Sequence, residues 1–179
     1  MVKSRVGKQG MIYVFTGEGK GKTSAALWTA VRAAKTGMRV LVIMWYKEVR
    51  WPTVDQGIGG DFENIEVCLK GRGFYQLPTD HASVSEHEAA AREALDLARQ
   101  RIKKVDLLVM DELVNAIGDG LVDEDEVIKL LESRGETHLI LTGRGASNRL
   151  IQLADLVTEM KKIKHPFDQG IKAIRGLDY

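Results

Sequence analysis

A chain of 179 residues with 26 Lys+Arg against 25 Asp+Glu, a formal net charge of +1, has the size of one ordinary domain and lacks the strong basic field of a dedicated nucleic-acid binder. A domain of this length buries roughly 70% of the surface its unfolded chain exposes, so one packed core is expected. The single cysteine, Cys68, excludes an internal disulfide and a thiolate metal cluster, and 44% hydrophobic with 28% charged residues suits a soluble protein of a reducing cytoplasm.

Residues 1–10 are basic without an apolar segment behind them, and read as a short N-terminal arm rather than a secretory signal. No apolar run reaches the ~20 residues that span a bilayer, so no membrane partner is expected. From residue 11 to 179 the pattern alternates short apolar runs with longer amphipathic ones. That is the signature of an α/β fold, a three-layer domain with a mostly parallel central sheet flanked by helices.

In chain order, Met11 to Phe15 predicts a first strand. Lys22 to Thr36 predicts an Ala-rich, well-buried helix that ends at Gly37. Arg39 to Met44 predicts a second strand. Residues 45–80 break the pattern with Gly57, Gly59, Gly60, Gly71, Gly73, Pro52 and Pro78, and read as loop-rich. Trp45, Tyr46, Trp51, Phe62, Phe74 and Tyr75 crowd this stretch, as a satellite core or as the wall of a large flat ligand. Ser85 to Glu88 fits a capping box for an amphipathic helix with Ala91, Leu95, Ala98 and Ile102 on its apolar face. Asp106 to Met110 predicts a third strand. Asp123 with Glu126 caps a helix that buries Val127, Ile128, Leu130 and Leu131, and His138 to Leu141 predicts a fourth strand.

The segment Thr16-Gly17-Glu18-Gly19-Lys20-Gly21-Lys22-Thr23-Ser24 stands between the first strand and the Ala-rich helix. It ends Gly-Lys-Thr, as a phosphate-binding P-loop ends, so Gly17, Glu18, Gly19, Lys20, Gly21, Lys22, Thr23 and Ser24 form the expected nucleotide site. Lys22 would meet phosphate oxygens and the Thr23 hydroxyl would ligate Mg²⁺, or Mn²⁺ in its place. The glycines fall at 17, 19 and 21 with Thr16 at the usual first position. The third strand ends Asp111-Glu112, where the carboxyl ends of parallel strands face the ligand, and at least one of the two is expected to bind the metal. Arg144, in Thr142-Gly143-Arg144-Gly145 after the fourth strand, is placed to meet a phosphate or ribose. No Asn-Lys-x-Asp segment supports guanine recognition. His81, His87 and His138 read as structural or surface residues.

These pieces, with Ala154-Asp155-Leu156-Val157-Thr158-Glu159 and the C-terminal Lys164-His165-Pro166-Phe167-Asp168-Gln169-Gly170-Ile171-Lys172-Ala173, resemble the P-loop type ATP:corrinoid adenosyltransferases. The resemblance implies a P-loop NTPase-like, RecA-like single domain. It also implies transfer of the 5′-deoxyadenosyl group of ATP to Co(I) of a corrinoid (cob(I)alamin or cob(I)yrinic acid a,c-diamide), with release of triphosphate, in adenosylcobalamin biosynthesis or salvage. Family members lay the triphosphate along the loop in the reverse of the usual direction. A homodimer and an electron-donating reductase partner are implied as well. Lys22, Glu112 and Phe74 are the expected catalytic residues. Phe74 follows Gly73 as in the family's motif and would help displace the cobalt's lower ligand, while Gln76 stands where a tryptophan is common, leaving Tyr75 or Trp51 to compensate. Two other classes fit the motifs: a P-loop ATPase or small-molecule kinase, and a non-catalytic nucleotide-gated corrinoid carrier.

Overall fold

Runs of aliphatic and β-branched residues become the strands. In the structure, a computed structural model in which residues 9–50 and 54–178 are described, the four expected strands are β1 (Ile12–Thr16), β2 (Val40–Met44), β4 (Leu107–Asp111) and β5 (His138–Thr142). Two more complete the sheet, β3 (Ile65–Leu69) and β6 (Leu156–Glu159). All the described strands pair parallel in the order β3-β2-β4-β5-β1-β6. Every residue of β2 and β4 is buried, as central parallel strands covered on both faces require.

Helices cover both faces. On one side α1 (Lys22–Lys35) and α2 (Val54–Asp61) pack Leu27, Ala30, Val31 and Ile58 on Val42, Met44, Val109 and Ile140. On the other, α3 (Val84–Arg101), α4 (Leu113–Gly118), α5 (Glu124–Glu132) and α6 (Asn148–Leu153) bury Leu95, Leu113, Leu131 and Leu150 against Leu41, Ile43, Leu108 and Leu141. The result is a three-layer α/β architecture with a parallel sheet between two layers of helices. The N-terminal arm falls almost wholly outside the described residues.

Local chemistry moves some expected boundaries. The box that starts α3 is formed by Ser83, not Ser85: the Ser83 hydroxyl accepts from Glu86 N–H, and the Glu86 carboxylate accepts from Ser83 N–H. Two Ser-x-x-Glu pairs overlap here, at 83/86 and 85/88. The first is the one that forms, and the helix it starts buries Ala90, Ala91, Ala94 and Leu95. Asp123 caps α5 as expected. The Ala-rich α1 is less enclosed than expected, since Trp28 points outward at 62% exposure. The stretch 45–80 is loop-rich as expected, but it also contains α2 and β3. Gly57, Gly59 and Gly60 are helical against their propensity; a Cβ on Gly59 would only touch the Ile65 carbonyl oxygen, at 3.4 Å, and one on Gly57 or Gly60 would meet nothing within 4 Å.

Parallel pairing brings the carboxyl ends of all six strands to one edge. There β5 lies between β1 and β4, so the P-loop and the Asp111-Glu112 pair face each other across Thr142.

Candidate active site

β1 runs into the P-loop, and α1 starts with Gly21 as N-cap at φ 117, a left-handed value that a side chain would strain. Among the described residues α1 has no side-chain cap and no acidic residue in its first turn. Its leading N–H groups and the positive end of its dipole therefore face the cleft and suit an anion. Gly19 N–H donates to Met160 C=O, just past β6, at 2.6 Å, and a Cβ on Gly19 would stand 2.6 Å from that oxygen, so only glycine fits so close an approach. Lys22 Nζ donates to the carbonyls of Gly17 (2.7 Å) and Gly19 (2.8 Å). Burial pulls its amine below the ordinary lysine range, opposed mainly by the Glu112 carboxylate.

The acids are set by β4 and β5. Asp111 is fully buried, and its Oδ1 accepts from the hydroxyls of Thr23 (2.9 Å) and Thr142 (2.7 Å). Its Oδ2 has no hydrogen-bond partner among the described residues, and burial pushes its carboxyl upward. Glu112 takes left-handed backbone, φ 63, and donates its N–H to Thr142 Oγ1 at 2.8 Å. Its carboxyl is pushed up to about 7, first by burial, then by the Asp111 charge, with Lys22 and Arg144 opposing. The Asn115 side-chain amide ties this corner together: it donates to the Glu112 carboxylate and accepts from Arg144 N–H.

This oxygen set fits Mg²⁺. The Thr23 hydroxyl, the unpartnered Asp111 Oδ2 and the Glu112 carboxylate are hard donors of the kind that hold Mg²⁺ together with waters and substrate phosphates. Among the described residues no group of three or more His, Cys, Asp or Glu gathers that could hold a metal ion.

A cleft of 480 Å³ opens over these groups, within the usual range for small-molecule sites. Residues 18–24, Glu112 and Arg144 line it, as does Phe74, which is 58% exposed. Two of the expected site residues stand behind the lining. Asp111 backs Thr23, and Gly17 packs under Met160 and offers its carbonyl to Lys22. Arg144 pairs with Glu18 at 3.4 Å. Tyr75 does not face the cleft: it packs toward the α3 side of the core with its ring edge-on to His87, centroids 5.1 Å apart. Trp51 lies outside the described residues. Of the crowded aromatics, Trp45, Tyr46, Phe62 and Tyr75 join or abut the core, and Phe74 alone among the described ones has the exposure of a ligand wall.

Sequence reasoning missed several groups here. Thr142 and Asn115 hold the acids. Lys47 and Asp55 line the cleft, and the tail brings His165, Phe167 and Asp178, whose carboxylate pairs with Lys20 at 2.8 Å. The tail and Thr142, the latter in the Thr142-Gly143-Arg144-Gly145 segment, carried a signal in their patterned sequence; Asn115, Lys47 and Asp55 did not. The remaining histidines have structural partners: His87 meets Asp80 at 2.9 Å, His81 faces Glu48, and His138 Nδ1 accepts from Met11 N–H.

Comparison with known proteins agrees with this geometry. The family model for ATP:corrinoid adenosyltransferase BtuR/CobO/CobP matches residues 8–179. A corrinoid adenosyltransferase of Escherichia coli (strain K12) is 34% identical over 175 residues, covering 96% of this chain and 87% of that protein. The corrinoid adenosyltransferase CobA of Salmonella typhimurium is 36% identical over 176 residues, with the same coverage. A third, from Sinorhizobium sp, is 34% identical over 183 residues, covering 100% of this chain and 85% of its own length. A chain matched over nearly its whole length, with an uncapped P-loop helix facing paired acids, belongs to the ATP:corrinoid adenosyltransferase family.

Proposed function

We propose that this chain, acting from residue 11 onward as one domain, transfers the 5′-deoxyadenosyl group of ATP to the Co(I) of a corrinoid. The observation that carries this reading is the meeting, in one cleft, of the uncapped α1 N-terminus with Lys22 and of the exposed Phe74 ring. The first suits a triphosphate and the second suits the face of a macrocycle.

In the transfer, the cobalt's electron pair forms the new bond to C5′, and the C5′–O pair leaves on the triphosphate. No proton has to be removed, so no catalytic base is needed. The protein's work is alignment and charge stabilisation, of which positioning alone can supply up to ~7–11 kcal/mol. Lys22 and the first N–H groups of α1 hold the departing charge. Thr23, Asp111 and Glu112 would hold Mg²⁺, which neutralises phosphate charge when bound. Arg144 would orient the nucleotide from the β5 side. An electron-donating reductase, a homodimer and a cytoplasmic setting complete the reading. Exposed Ile151, Leu156 and Val157 near the β6 edge offer apolar surface for a second subunit, and no described helix is long and apolar enough to cross a membrane.

Incubation with MgATP and chemically reduced corrinoid should yield triphosphate and a light-sensitive cobalt–carbon product. ADP as the product would mean phosphoryl transfer instead, and binding of both ligands without a new bond would mean a carrier. Phe74→Ala should depress alkylation that starts from Co(II) far more than alkylation of pre-reduced Co(I). Equal losses in the two assays would reduce Phe74 to packing.

A further inference from the structure

Lys47 belongs to no recognised motif, yet the fold delivers it to the same cleft. It follows Met44, whose register partner on β4 is Asp111, so the chain leaving β2 passes the acid end of β4. Trp45 N–H donates to the Asp111 carbonyl at 3.0 Å, and Tyr46 turns the chain with a left-handed φ of 63. Lys47 N–H to Trp45 C=O (2.7 Å) and Gly71 N–H to Lys47 C=O (2.8 Å) lock the turn. Its side chain then lines the cleft beside Lys22, Thr23 and Glu112.

That side chain is only 17% exposed, and its amine pairs with Asp55 Oδ2 at 3.0 Å. Asp55 sits in the first turn of α2 and lines the same cleft. A pair sunk in a cleft carries the desolvation cost of both ions, which a single contact only partly offsets. Lys47 is also within electrostatic reach of Asp111 and Glu112, whose carboxyls it pulls down, while Asp55 pushes Asp111 up. A polyphosphate seated on the α1 N-terminus would present Lys47 with more negative charge than one carboxylate does. Lys20 with Asp178 and Arg144 with Glu18 repeat the pattern of cleft cations holding carboxylates of their own chain, but Lys47 is the one shielded from solvent.

We propose that Lys47 is a further phosphate-binding residue of this cleft and that Asp55 is the counter-ion a nucleoside triphosphate displaces from it. The proposal rests on the cleft being the ATP site. It links occupancy of the P-loop to α2, a second wall of the same cleft.

Calorimetric titration of MgATP, without corrinoid, into the parent protein and the Lys47→Ala, Lys47→Arg, Asp55→Asn and Lys22→Ala variants tests it. Lys47→Ala should weaken MgATP by about tenfold, the loss of one charge-assisted contact. Lys47→Arg should retain most of the affinity, and Asp55→Asn should tighten binding by removing the competitor. Were the pair only a strut for α2, Lys47→Ala and Asp55→Asn would shift affinity in the same direction. That outcome, or unchanged affinity in Lys47→Ala, overturns the proposal. If Lys47→Ala does not fold, the sign of the Asp55→Asn effect decides. Lys22→Ala separates the levels: if it binds MgATP like the parent, the cleft reading itself fails. If it loses binding while Lys47→Ala does not, only the role of Lys47 falls.

Discussion

Replacing Lys22 by alanine is expected to lower turnover about a hundred- to thousandfold, the usual cost of deleting one preorganised group from a site of developing charge. The melting temperature should stay within a few degrees of the parent's. The amine is buried and, among the described residues, bonds only to the Gly17 and Gly19 carbonyls of its own loop, so the fold gains little from it. Burial already disfavours its charge, and deleting it relieves that penalty. Steady-state turnover with pre-reduced corrinoid, alongside a thermal melt, gives both numbers. Near-parental turnover would remove Lys22 from the chemistry, and a collapsed melt would make it a structural residue.

The second large effect is expected at Glu112. Its carboxyl stands at about 7 against an ordinary 4.5 because it is buried beside Asp111, so the folded protein holds a proton there that the unfolded chain has released. Its contribution to stability is therefore present below pH 4.5 and is lost as pH rises through about 7. Metal binding needs the opposite, ionised form. Magnesium affinity, measured with ATP present, should climb by up to about tenfold per unit as pH approaches 7 and level off above it. Glu112→Gln should weaken the metal and flatten that climb, while melting no lower than the parent at pH 8. A magnesium titration that keeps its pH profile in the variant would place Glu112 outside the metal site.

Features written in contiguous residues were legible in the sequence. The P-loop, the apolar run ending Asp111-Glu112, the Asp123 cap and the four central strands each depend on neighbours along the chain. β6 was not legible, because Leu156–Glu159 is an exposed edge strand without the continuous apolar run of a buried one. α2 was hidden by its glycines, which disfavour a helix. The acid corner was hidden for a different reason. Thr142 reaches Asp111 and Glu112 only after β4 and β5 pair, and Asn115 meets Arg144 only once the loop after β5 folds over α4. Tyr46 and Asp119, whose hydroxyl-to-carboxylate bond is 2.5 Å, are likewise joined by the fold alone. Lys47 and Asp55 lie close in sequence, yet nothing in their types distinguishes them from solvated surface charges.

The contact of the P-loop with Met160, just past β6, bears on the order of assembly. Gly19 leans on the Met160 carbonyl, and Met160 N–H returns to Thr16 C=O, so the loop is buttressed by a residue synthesised far later than itself. A nascent polypeptide leaving the ribosome would carry every residue of the phosphate cradle long before it could shape one. Competence to capture the nucleotide should then arise late and abruptly, when the last strand docks, rather than growing in step with chain length.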